Sequence, residues 1–380
     1  MRAGDTLRGY RLLEDFRVVG AGLSEWTFAE RGGRAYFIKR FLAPTYPDDA
    51  APGSAKTKAR KRARCAAFEA HHRGIQAAMA PLTSYGGNLI ATLDFFREGA
   101  KYYKVTEKVD VAGLEPGDVA ALGFPAQLVL LKTVAHSLKI LHDLNIVHSD
   151  LKPSNVLIKR TALGYTTKLI DFDSSYLVGS PPPPEEIVGT MNYYSPELVN
   201  YVQGSVGATD LTESSDIFAL GLIYAEYLTG ALPAFDPAYH EAAIAVLHGA
   251  QLRLAPGHAP ARVVALVEQM LLVDPAARPA VAEIHKTLMG LRSETPTPDR
   301  APLRTPSIGR VPRRLRLPST PAEPGPAALS QPSPRGSTLR GKGLRLVADA
   351  VRPAPDGPPP GRGRALLGKL IDKLEERRSR

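Results

Sequence analysis

The last ninety residues of the chain differ in composition from everything before them. Residues 291–380 contain 16 of the 34 prolines, 19 lysines and arginines, 8 acidic residues and no aromatic residue. A segment with many prolines, charge of mainly one sign and no aromatic side chains cannot bury enough apolar surface to offset its ordering entropy. We therefore expect residues 291–360 to be a disordered linker, and a fold to form within residues 1–290.

The first 110 residues are predicted to be rich in strands. The segments YRLLEDFRVVGAG and RAYFIKRF carry β-branched and aromatic residues, and Gly32-Gly33 between them is typical of a hairpin turn. NLIATLDFFREG and YYKVTEKV have the same character. Between these pairs, SAKTKARKRARCAAFEAHHRGIQAAM lacks proline and has high helix propensity, which predicts a basic helix.

Helical periodicity dominates after Pro125. PAQLVLLKTVAHSLKILHDLN places apolar residues at positions 128, 131, 134, 138 and 141, which is the stripe of an amphipathic helix. Further helices are predicted over residues 215–229, 238–249, 259–272 and 279–290. A strand-rich N-terminal lobe at 1–110 followed by a helix-rich C-terminal lobe at 111–290 predicts a two-lobed α+β fold.

One short stretch, VHSDLKPSNVLI, places polar residues inside an otherwise apolar run. Phosphoryl transfer from ATP requires a carboxylate near the attacking hydroxyl, a cation on the γ-phosphate and ligands for Mg²⁺. Asp150 is suited to accept the hydroxyl proton, Lys152 to offset phosphate charge and Asn155 to bind a metal ion. This stretch alone suggests such a site without deciding it.

Further motifs follow in order: LIDFD at 169–173, GTMNYYSPE, SDIFALG and DPAARP. With the HSDLKPSN loop, they make residues 10–290 resemble the eukaryotic-like (Hanks-type) serine/threonine protein kinase family. The resemblance implies the two-lobed protein-kinase-like fold, ATP and Mg²⁺ as cofactors, and protein substrates. Lys152 together with Thr190 resembles the serine/threonine rather than the tyrosine subgroup.

The resemblance also implies roles for individual residues. Asp150 would be the catalytic base assisted by Lys152, and Asn155 and Asp171 would be the metal ligands. Lys39 would bind the α- and β-phosphates. Its implied partner is Glu69 on the following helix, although a solvated helix carboxylate is the alternative interpretation of Glu69.

Other implied residues contact the nucleotide or support the loop. Gly20 and Gly22 would form the glycine-rich turn, Thr106 would be the gatekeeper, and Glu107 to Val109 would form the hinge to adenine. Asp216 and Gly221 would belong to the helix beneath the catalytic loop. Arg278 is expected to pair with Glu197.

The sequence departs from the family pattern at four positions. Glu25 stands where a third glycine is expected, and would weaken ATP binding unless it faces solvent. Phe37 replaces a small residue next to adenine, which would narrow the nucleotide pocket. Asp173 replaces the glycine after Asp171-Phe172, and would restrict that motif or add a carboxylate behind the metal. Ser149 replaces an arginine that normally receives a regulatory phosphate, so activity is expected to depend little on that switch.

None of these departures removes a reacting group, which favours an active enzyme. A pseudokinase scaffold that binds a partner through its tail is the main alternative. The second alternative is a small-molecule kinase of the same fold. The GTMNYYSPE segment and the expected Glu197–Arg278 pair disfavour this alternative.

Two basic regions invite other interpretations. KTKARKRAR, residues 56–64, has six basic residues in nine, but no aromatic residues alternate with them, so a solvated helix face is preferred to sequence-specific nucleic-acid binding. Residues 361–380 place Leu366, Leu370 and Leu374 on one face of a C-terminal amphipathic helix, which predicts self-association or docking to a partner. The tail also holds Ser/Thr-Pro sites suited to autophosphorylation.

The location expected from the sequence is cytoplasmic. The single cysteine excludes an internal disulfide, the N-terminus lacks an apolar signal core, and no run is long enough for a transmembrane segment. We expect a bacterial enzyme that acts in signalling. The substrate, the activating signal and the oligomeric state do not follow from the sequence.

Overall fold

The computed structural model describes residues 1–19, 24–48, 52–82, 87–255 and 257–291. Gly20 and Gly22 of the predicted glycine-rich turn lie outside the described residues. So do the predicted linker from residue 292 onward and the predicted C-terminal helix at 361–380.

The N-terminal lobe is built on an antiparallel sheet of seven strands. The strands are β1 (Thr6–Leu7), β2 (Tyr10–Leu12), β3 (Arg17–Val19), β4 (Ser24–Arg31), β5 (Arg34–Phe41), β6 (Asp94–Glu98) and β7 (Lys101–Glu107). They are ordered β1-β2-β4-β5-β7-β6, and β3 also pairs with β4. The predicted hairpin turn is confirmed, because Gly32 and Gly33 join β4 to β5. Both have left-handed backbone (φ 58° and 74°), which glycine adopts without steric cost.

A 25-residue helix, α1 (Ala55–Met79), packs on this sheet through Phe68 and His72, and it confirms the predicted basic helix. Ser54 Oγ caps its first turn by accepting a hydrogen bond from Thr57 N (3.2 Å). The buried residues of α1 begin at Cys65, whereas residues 59–64 are all exposed. The apolar contacts of α1 therefore come from its second half.

The C-terminal lobe is mainly helical. Its helices are α2 (Pro116–Ala120), α3 (Phe124–His142), α4 (Pro196–Gln203), α5 (Ser214–Thr229), α6 (Ala242–Leu247), α7 (Ala261–Met270) and α8 (Val281–Met289). Two small antiparallel strand pairs accompany them: β8 (Ile146–Val147) with β11 (Tyr176–Leu177), and the hairpin of β9 (Val156–Thr161) with β10 (Gly164–Leu169). The predicted lobe boundary near residue 110 falls between β7 and α2.

Helix α5 is the centre of this lobe, with 13 of its residues buried, which explains why its sequence is largely apolar. The four helices predicted after residue 214 are present, although α6 is shorter than predicted. Helices α2 and α4 were not predicted, because they are only five and eight residues long, too short for apolar periodicity to identify them. Within the described ranges, no helix has the length and apolarity needed to cross a membrane.

Candidate active site

The HSDLKPSN loop lies between β8 and β9 and is held by one buried carboxylate. Asp216, in the first turn of α5, accepts hydrogen bonds from the backbone N–H groups of His148 (2.7 Å) and Ser149 (2.9 Å). His142 Nε2 lies 3.0 Å from the same carboxylate. Ser149 has a φ of 67°, a left-handed conformation that costs energy outside glycine, so these contacts stabilise a strained turn.

Both carboxylate oxygens of Asp150 are held in place. Lys152 Nζ donates to Asp150 Oδ2 (2.7 Å), and Asn155 Nδ2 donates to the same oxygen (3.2 Å). Thr190 N donates to Asp150 Oδ1 (3.2 Å), and Lys152 also donates to Thr190 Oγ1 (2.9 Å). The structure thus brings Asp150, Lys152 and Asn155 together, and it ties them to the GTMNYYSPE segment.

Asp171 follows β10 beside this loop. The backbone N–H of Ile170 donates to Asn155 O (3.0 Å), which sets Asp171 next to Asn155 in the fold. Asp171 itself has a φ of 64°, so its backbone is also left-handed. Lys39 Nζ donates to both oxygens of Asp171 (3.0 Å each), although the two residues are 132 positions apart.

A second lysine and a second carboxylate complete this cluster. Lys104 Nζ, on β7, donates to Asp171 Oδ1 (3.2 Å) and forms a very short contact with Asp173 Oδ1. Lys39 Nζ lies 2.6 Å from Asp173 Oδ2; this contact is ionic, because Oδ2 has no aligned hydrogen-bond donor. Lys39 and Lys104 therefore share Asp171 and Asp173.

The charges of the cluster outweigh the effect of burial. Burial favours the neutral form of Asp173, but the Lys104 and Lys39 charges hold the pKa of its carboxyl well below the usual value. Burial likewise opposes ionisation of Lys39, and the Asp173 and Asp171 carboxylates raise the pKa of its ammonium above the usual value. Asp173 and Lys39 are therefore both ionised at neutral pH.

The predicted ion pair between Lys39 and Glu69 is not formed. Glu69 accepts a hydrogen bond from Tyr102 Oη at 2.7 Å, and its other oxygen lies 3.4 Å from Arg73. The α1 residues that approach the cluster are instead His71, whose Nε2 lies 2.9 Å from the backbone oxygen of Asp173, and His72, whose Nδ1 lies 3.9 Å from its carboxylate.

The strand register gives the physical reason for this correction. Lys39 lies opposite Lys104, whereas Phe41 lies opposite Tyr102, two residues further along the β5–β7 pair. Two residues span about 7 Å along a strand. Glu69 therefore reaches Tyr102 and not Lys39, and Asp173 supplies a second carboxylate to Lys39 beside Asp171.

Three aromatic rings share the sheet face that carries Lys39. Phe37 is two residues from Lys39, and Trp26 and Phe28 lie opposite Lys39 and Phe37 on β4. The Trp26 and Phe37 rings stack with centroids 5.7 Å apart, and Phe28 lies 5.0 Å from Trp26. Lys108 Nζ lies 4.8 Å from the centre of the Phe28 ring. We call these three half-buried rings, Trp26, Phe28 and Phe37, the aromatic wall. The predicted narrowing of the nucleotide pocket by Phe37 would thus involve this wall rather than one ring.

Glu25 points away from this face. It lies opposite Arg40, the residue next to Lys39, and accepts a hydrogen bond from Arg40 Nε at 2.6 Å. Because neighbouring strand residues point to opposite faces, Glu25 does not share the face of Lys39. The negative charge that the sequence places in the glycine-rich turn is therefore paired on the other side of the sheet.

The predicted hinge residues lie at the end of β7. Thr106 is buried and lies opposite Phe37 on β5. Glu107 is exposed and pairs with Lys168 at 3.3 Å. Val109 follows β7 and is half-buried. Thr106 therefore borders the aromatic wall at Phe37, and the Lys39–Asp171 contact brings Asp171 to the same region of the molecule.

The GTMNYYSPE segment is anchored by the predicted Glu197–Arg278 pair, which is confirmed. Arg278 donates to both oxygens of Glu197, at 2.8 and 2.9 Å, and both side chains are buried. Arg278 also donates to the backbone oxygens of Ser214 and Leu272. This pair connects α4 to the start of α5, the helix that carries Asp216.

The comparison with protein families agrees with this arrangement. The family described as Protein kinase domain matches residues 66–288, more than half of the chain. The chain belongs to the protein kinase family. Within this family, it is 34% identical over 156 residues to the Ovarian-specific serine/threonine-protein kinase Lok of Drosophila melanogaster, which covers 40% of this chain and 31% of Lok.

Other kinases show similar partial matches. The chain is 31% identical over 154 residues to an Aurora kinase of Yarrowia lipolytica, covering 40% of this chain and 38% of that kinase. It is 38% identical over 114 residues to the serine/threonine-protein kinase pkn2 of Myxococcus xanthus, covering 29% of this chain and 13% of pkn2. The chain thus matches less than half the length of each of these relatives.

Protein kinases use ATP with a divalent metal ion, and the residues present fit a magnesium ion. Mg²⁺ is usually bound by one or two protein oxygen ligands together with substrate phosphates and water. Asp171 offers a carboxylate, and Asn155 keeps its amide oxygen available because it donates to Asp150 through Nδ2. Within the described part of the chain, no three His, Cys, Asp or Glu side chains cluster as a larger metal cage.

Sequence reasoning missed Lys104, His71 and His72, and it did not assign Asp173 to Lys39. A signal was present for Lys104, because a lysine within the apolar strand YYKV needs an acidic partner once buried. The implied roles of Asp150, Lys152, Lys39, Asn155 and Asp171 remain predictions, now with defined positions.

Proposed function

We propose that this chain is a serine/threonine protein kinase that transfers the γ-phosphate of Mg-ATP to protein hydroxyls. The observation that carries the proposal is Asp150, which is held by Lys152, Asn155 and the backbone of Thr190 at 2.7, 3.2 and 3.2 Å. A rigidly positioned carboxylate beside a cation is what an attacking hydroxyl requires.

The reaction assigns each group one task. Asp150 accepts the proton of the substrate hydroxyl while the hydroxyl oxygen bonds to the γ-phosphorus. The bond from that phosphorus to the bridging oxygen breaks, and ADP leaves with the electron pair. Lys152 offsets the charge of the transferred group, and Lys39 holds the α- and β-phosphates. A magnesium ion bound by Asp171 and Asn155 would neutralise charge on the phosphates.

The substrate class rests on the segment that follows the site. Lys152 bonds Thr190, and the buried Glu197–Arg278 pair fixes the end of the same segment. A rigid segment beside Asp150 supports a groove for an extended protein substrate, and therefore disfavours a small-molecule kinase. Autophosphorylation, a role in signalling and docking through the C-terminal helix belong to this proposal.

A pseudokinase that binds a partner is the second candidate. The observation in its favour is that Lys39 and Lys104 both hold Asp171, and that Trp26, Phe28 and Phe37 line the neighbouring face. In that case the aromatic wall would fill space otherwise available to adenine, and Asp171 would stay paired with lysine.

One experiment separates the two candidates. Purified chain is incubated with Mg²⁺, labelled ATP and a generic basic protein, beside Asp150→Asn and the surface control Asp143→Asn. The kinase proposal expects transfer by the wild type and Asp143→Asn, and a loss of about 100-fold or more in Asp150→Asn. Mass spectrometry of the same samples locates autophosphorylated residues.

The single tryptophan provides an independent binding measurement. Trp26 is the only tryptophan of the chain and stacks on Phe37. Nucleotide binding at this face is expected to change its fluorescence, also in Asp150→Asn. Fluorescence that responds to no nucleotide, together with no phosphate transfer, would contradict the kinase proposal and support the pseudokinase.

A further inference from the structure

Lys104 and Asp173 lie at positions from which both influence Lys39, a role that sequence reasoning did not assign to them. We propose that Lys104 and Asp173 form a compensating pair that positions Lys39 for ATP and leaves Asp171 available to a metal ion. This inference rests on the proposed function, because it assigns positioning residues to the same site.

The need for compensation arises from the strand register. Lys39 and Lys104 lie directly opposite each other on β5 and β7. Like charges in such cross-strand positions repel each other. Lys104 is also only 5% exposed, so its charge requires a partner inside the protein. The buried ammonium of Lys104 and the half-buried ammonium of Lys39 therefore face one another and need carboxylates between them.

Asp173 meets this need for both lysines. One of its oxygens contacts Lys104 and the other lies 2.6 Å from Lys39. The position of Asp173 is fixed from helix α1, because His71 Nε2 lies 2.9 Å from its backbone oxygen. Glu69 does not connect helix α1 to Lys39. Asp173 makes this connection instead, because it lies between Lys39 and the α1 residues His71 and His72.

The charge balance explains why a second carboxylate matters. As the structure stands, two lysines face two carboxylates, Asp171 and Asp173. If Asp171 serves a metal ion, Asp173 stays with the two lysines and the group retains one positive charge for the phosphates. Without Asp173, both lysines would have Asp171 as their remaining carboxylate, and they would compete with the metal ion for it.

This arrangement predicts that the two residues do not act independently. In Asp173→Asn, Lys104 is left to compete for Asp171, so affinity for Mg-ATP is expected to fall about tenfold or more. In Lys104→Met, Asp173 neutralises Lys39 alone, and affinity is also expected to fall. In the double variant, Lys39 faces Asp171 without a rival lysine, and affinity recovers about tenfold from the Asp173→Asn level.

The sign of the Asp173→Asn effect is the decisive readout. The Asp173→Asn substitution is expected to weaken Mg-ATP binding when Lys104 is present and to strengthen it in the Lys104→Met background. Trp26 fluorescence titration measures both affinities. Lys139→Met and Asp143→Asn, which break an ion pair of 2.6 Å at the C-terminal end of α3, form a matched control cycle with no expected coupling in Mg-ATP affinity. Thermal melting confirms that each variant is folded.

A second measurement does not need nucleotide binding. Lys39 is expected to react slowly with an amine-acylating reagent, because its Nζ is largely shielded and contacts both Asp171 and Asp173, and labelling is quantified by mass spectrometry. Because Asp173→Asn weakens one of these two contacts, it is expected to increase the labelling rate of Lys39 about threefold or more. Equal labelling in both proteins would overturn the proposal.

Failure of the two ideas can be told apart. If the wild type binds Mg-ATP but the affinity losses of Lys104→Met and Asp173→Asn simply add, the compensating pair is wrong and the kinase proposal stands. If the wild type neither binds ATP nor transfers phosphate, the kinase proposal fails. The Lys39 labelling rates then decide alone whether Asp173 holds this lysine.

Discussion

Arg278 and Glu197 form a buried bidentate ion pair that joins two segments 81 positions apart, with nitrogen–oxygen distances of 2.8 and 2.9 Å. Removing one member of such a pair leaves the other charge without compensation inside the protein. The cost of such a loss is larger than the net contribution of the intact pair.

We expect Arg278→Met to lower the free energy of unfolding by about 3–5 kcal/mol, since Glu197 would remain buried and unpaired. Urea denaturation followed by circular dichroism measures the change. Arg262→Met is the control, because Arg262 is exposed on α7 and its loss is expected to cost less than about 0.5 kcal/mol. Equal effects of the two substitutions would contradict the assigned role of the pair.

A glycine-to-alanine substitution is expected to raise the free energy of unfolding in helix α1 and to lower it in helix α5. A Cβ at Gly221 of α5 would lie 2.9 Å from Leu271 Cδ2 and 3.1 Å from Met270 Cβ, whereas at Gly74 of α1 nothing lies within 4 Å. Gly74→Ala is expected to stabilise by about 0.5–1 kcal/mol through helix propensity. Gly221→Ala is expected to destabilise by about 1 kcal/mol or more, since overpacking outweighs that gain.

Melting temperatures of the two alanine variants test this prediction directly. A rise for both would show that α7 moves freely away from α5, and that the close approach at Gly221 carries no constraint.

His72 is expected to make stability depend on pH. Burial, only partly offset by the Asp173 charge, lowers the pKa of this imidazole to about 3. The unfolded chain, with an ordinary histidine pKa of about 6.5, therefore binds an extra proton between pH 6.5 and about 3. The contribution of His72 is thus fully present above pH 6.5 and is lost as the pH falls through this window.

His72 is expected to make the free energy of unfolding fall by up to about 1.4 kcal/mol for each pH unit within this window. His72→Gln should flatten the pH dependence of unfolding free energy between pH 6.5 and 4, even if it lowers stability overall by removing the ring stacked on Phe95 (4.6 Å). The exposed His258→Gln is the control. An unchanged slope in His72→Gln would show that this histidine is not held neutral.

The proposed transfer activity is expected to persist without phosphorylation of the GTMNYYSPE segment. Ser149 stands before Asp150 without an arginine side chain, and its backbone is already held by Asp216 at 2.9 Å. Treatment with a phosphatase, which is then removed, should change the initial rate of labelled transfer by less than about threefold. A loss of activity that returns with renewed autophosphorylation would contradict this expectation.

Sequence reasoning succeeded where the relevant residues are close along the chain. Asp150, Lys152 and Asn155 lie within six positions, so a single loop keeps them together. The hairpin at Gly32-Gly33 was predictable for the same reason. Lys39 and Asp171, which are 132 positions apart, were joined only through the family resemblance.

The partner of Lys39 could not be predicted because it depends on the phase of a helix against a sheet. The sequence FEAHH offers one carboxylate and two histidines on successive faces of α1. Which of them meets Lys39 is decided by the way Phe41, Phe95 and Tyr102 pack under the helix. The burial of Lys104 follows from the same tertiary contacts and from Asp173, which lies 69 positions away.

The charge cluster also constrains how this family branch can evolve. A lineage that exchanged Asp173 for glycine while keeping Lys104 would bury two ammonium groups face to face with one carboxylate to share. A lineage that acquired Lys104 first would pass through the same state. Among relatives of this chain, positions 104 and 173 are therefore expected to covary, with lysine accompanied by an acid and an uncharged strand residue accompanied by glycine.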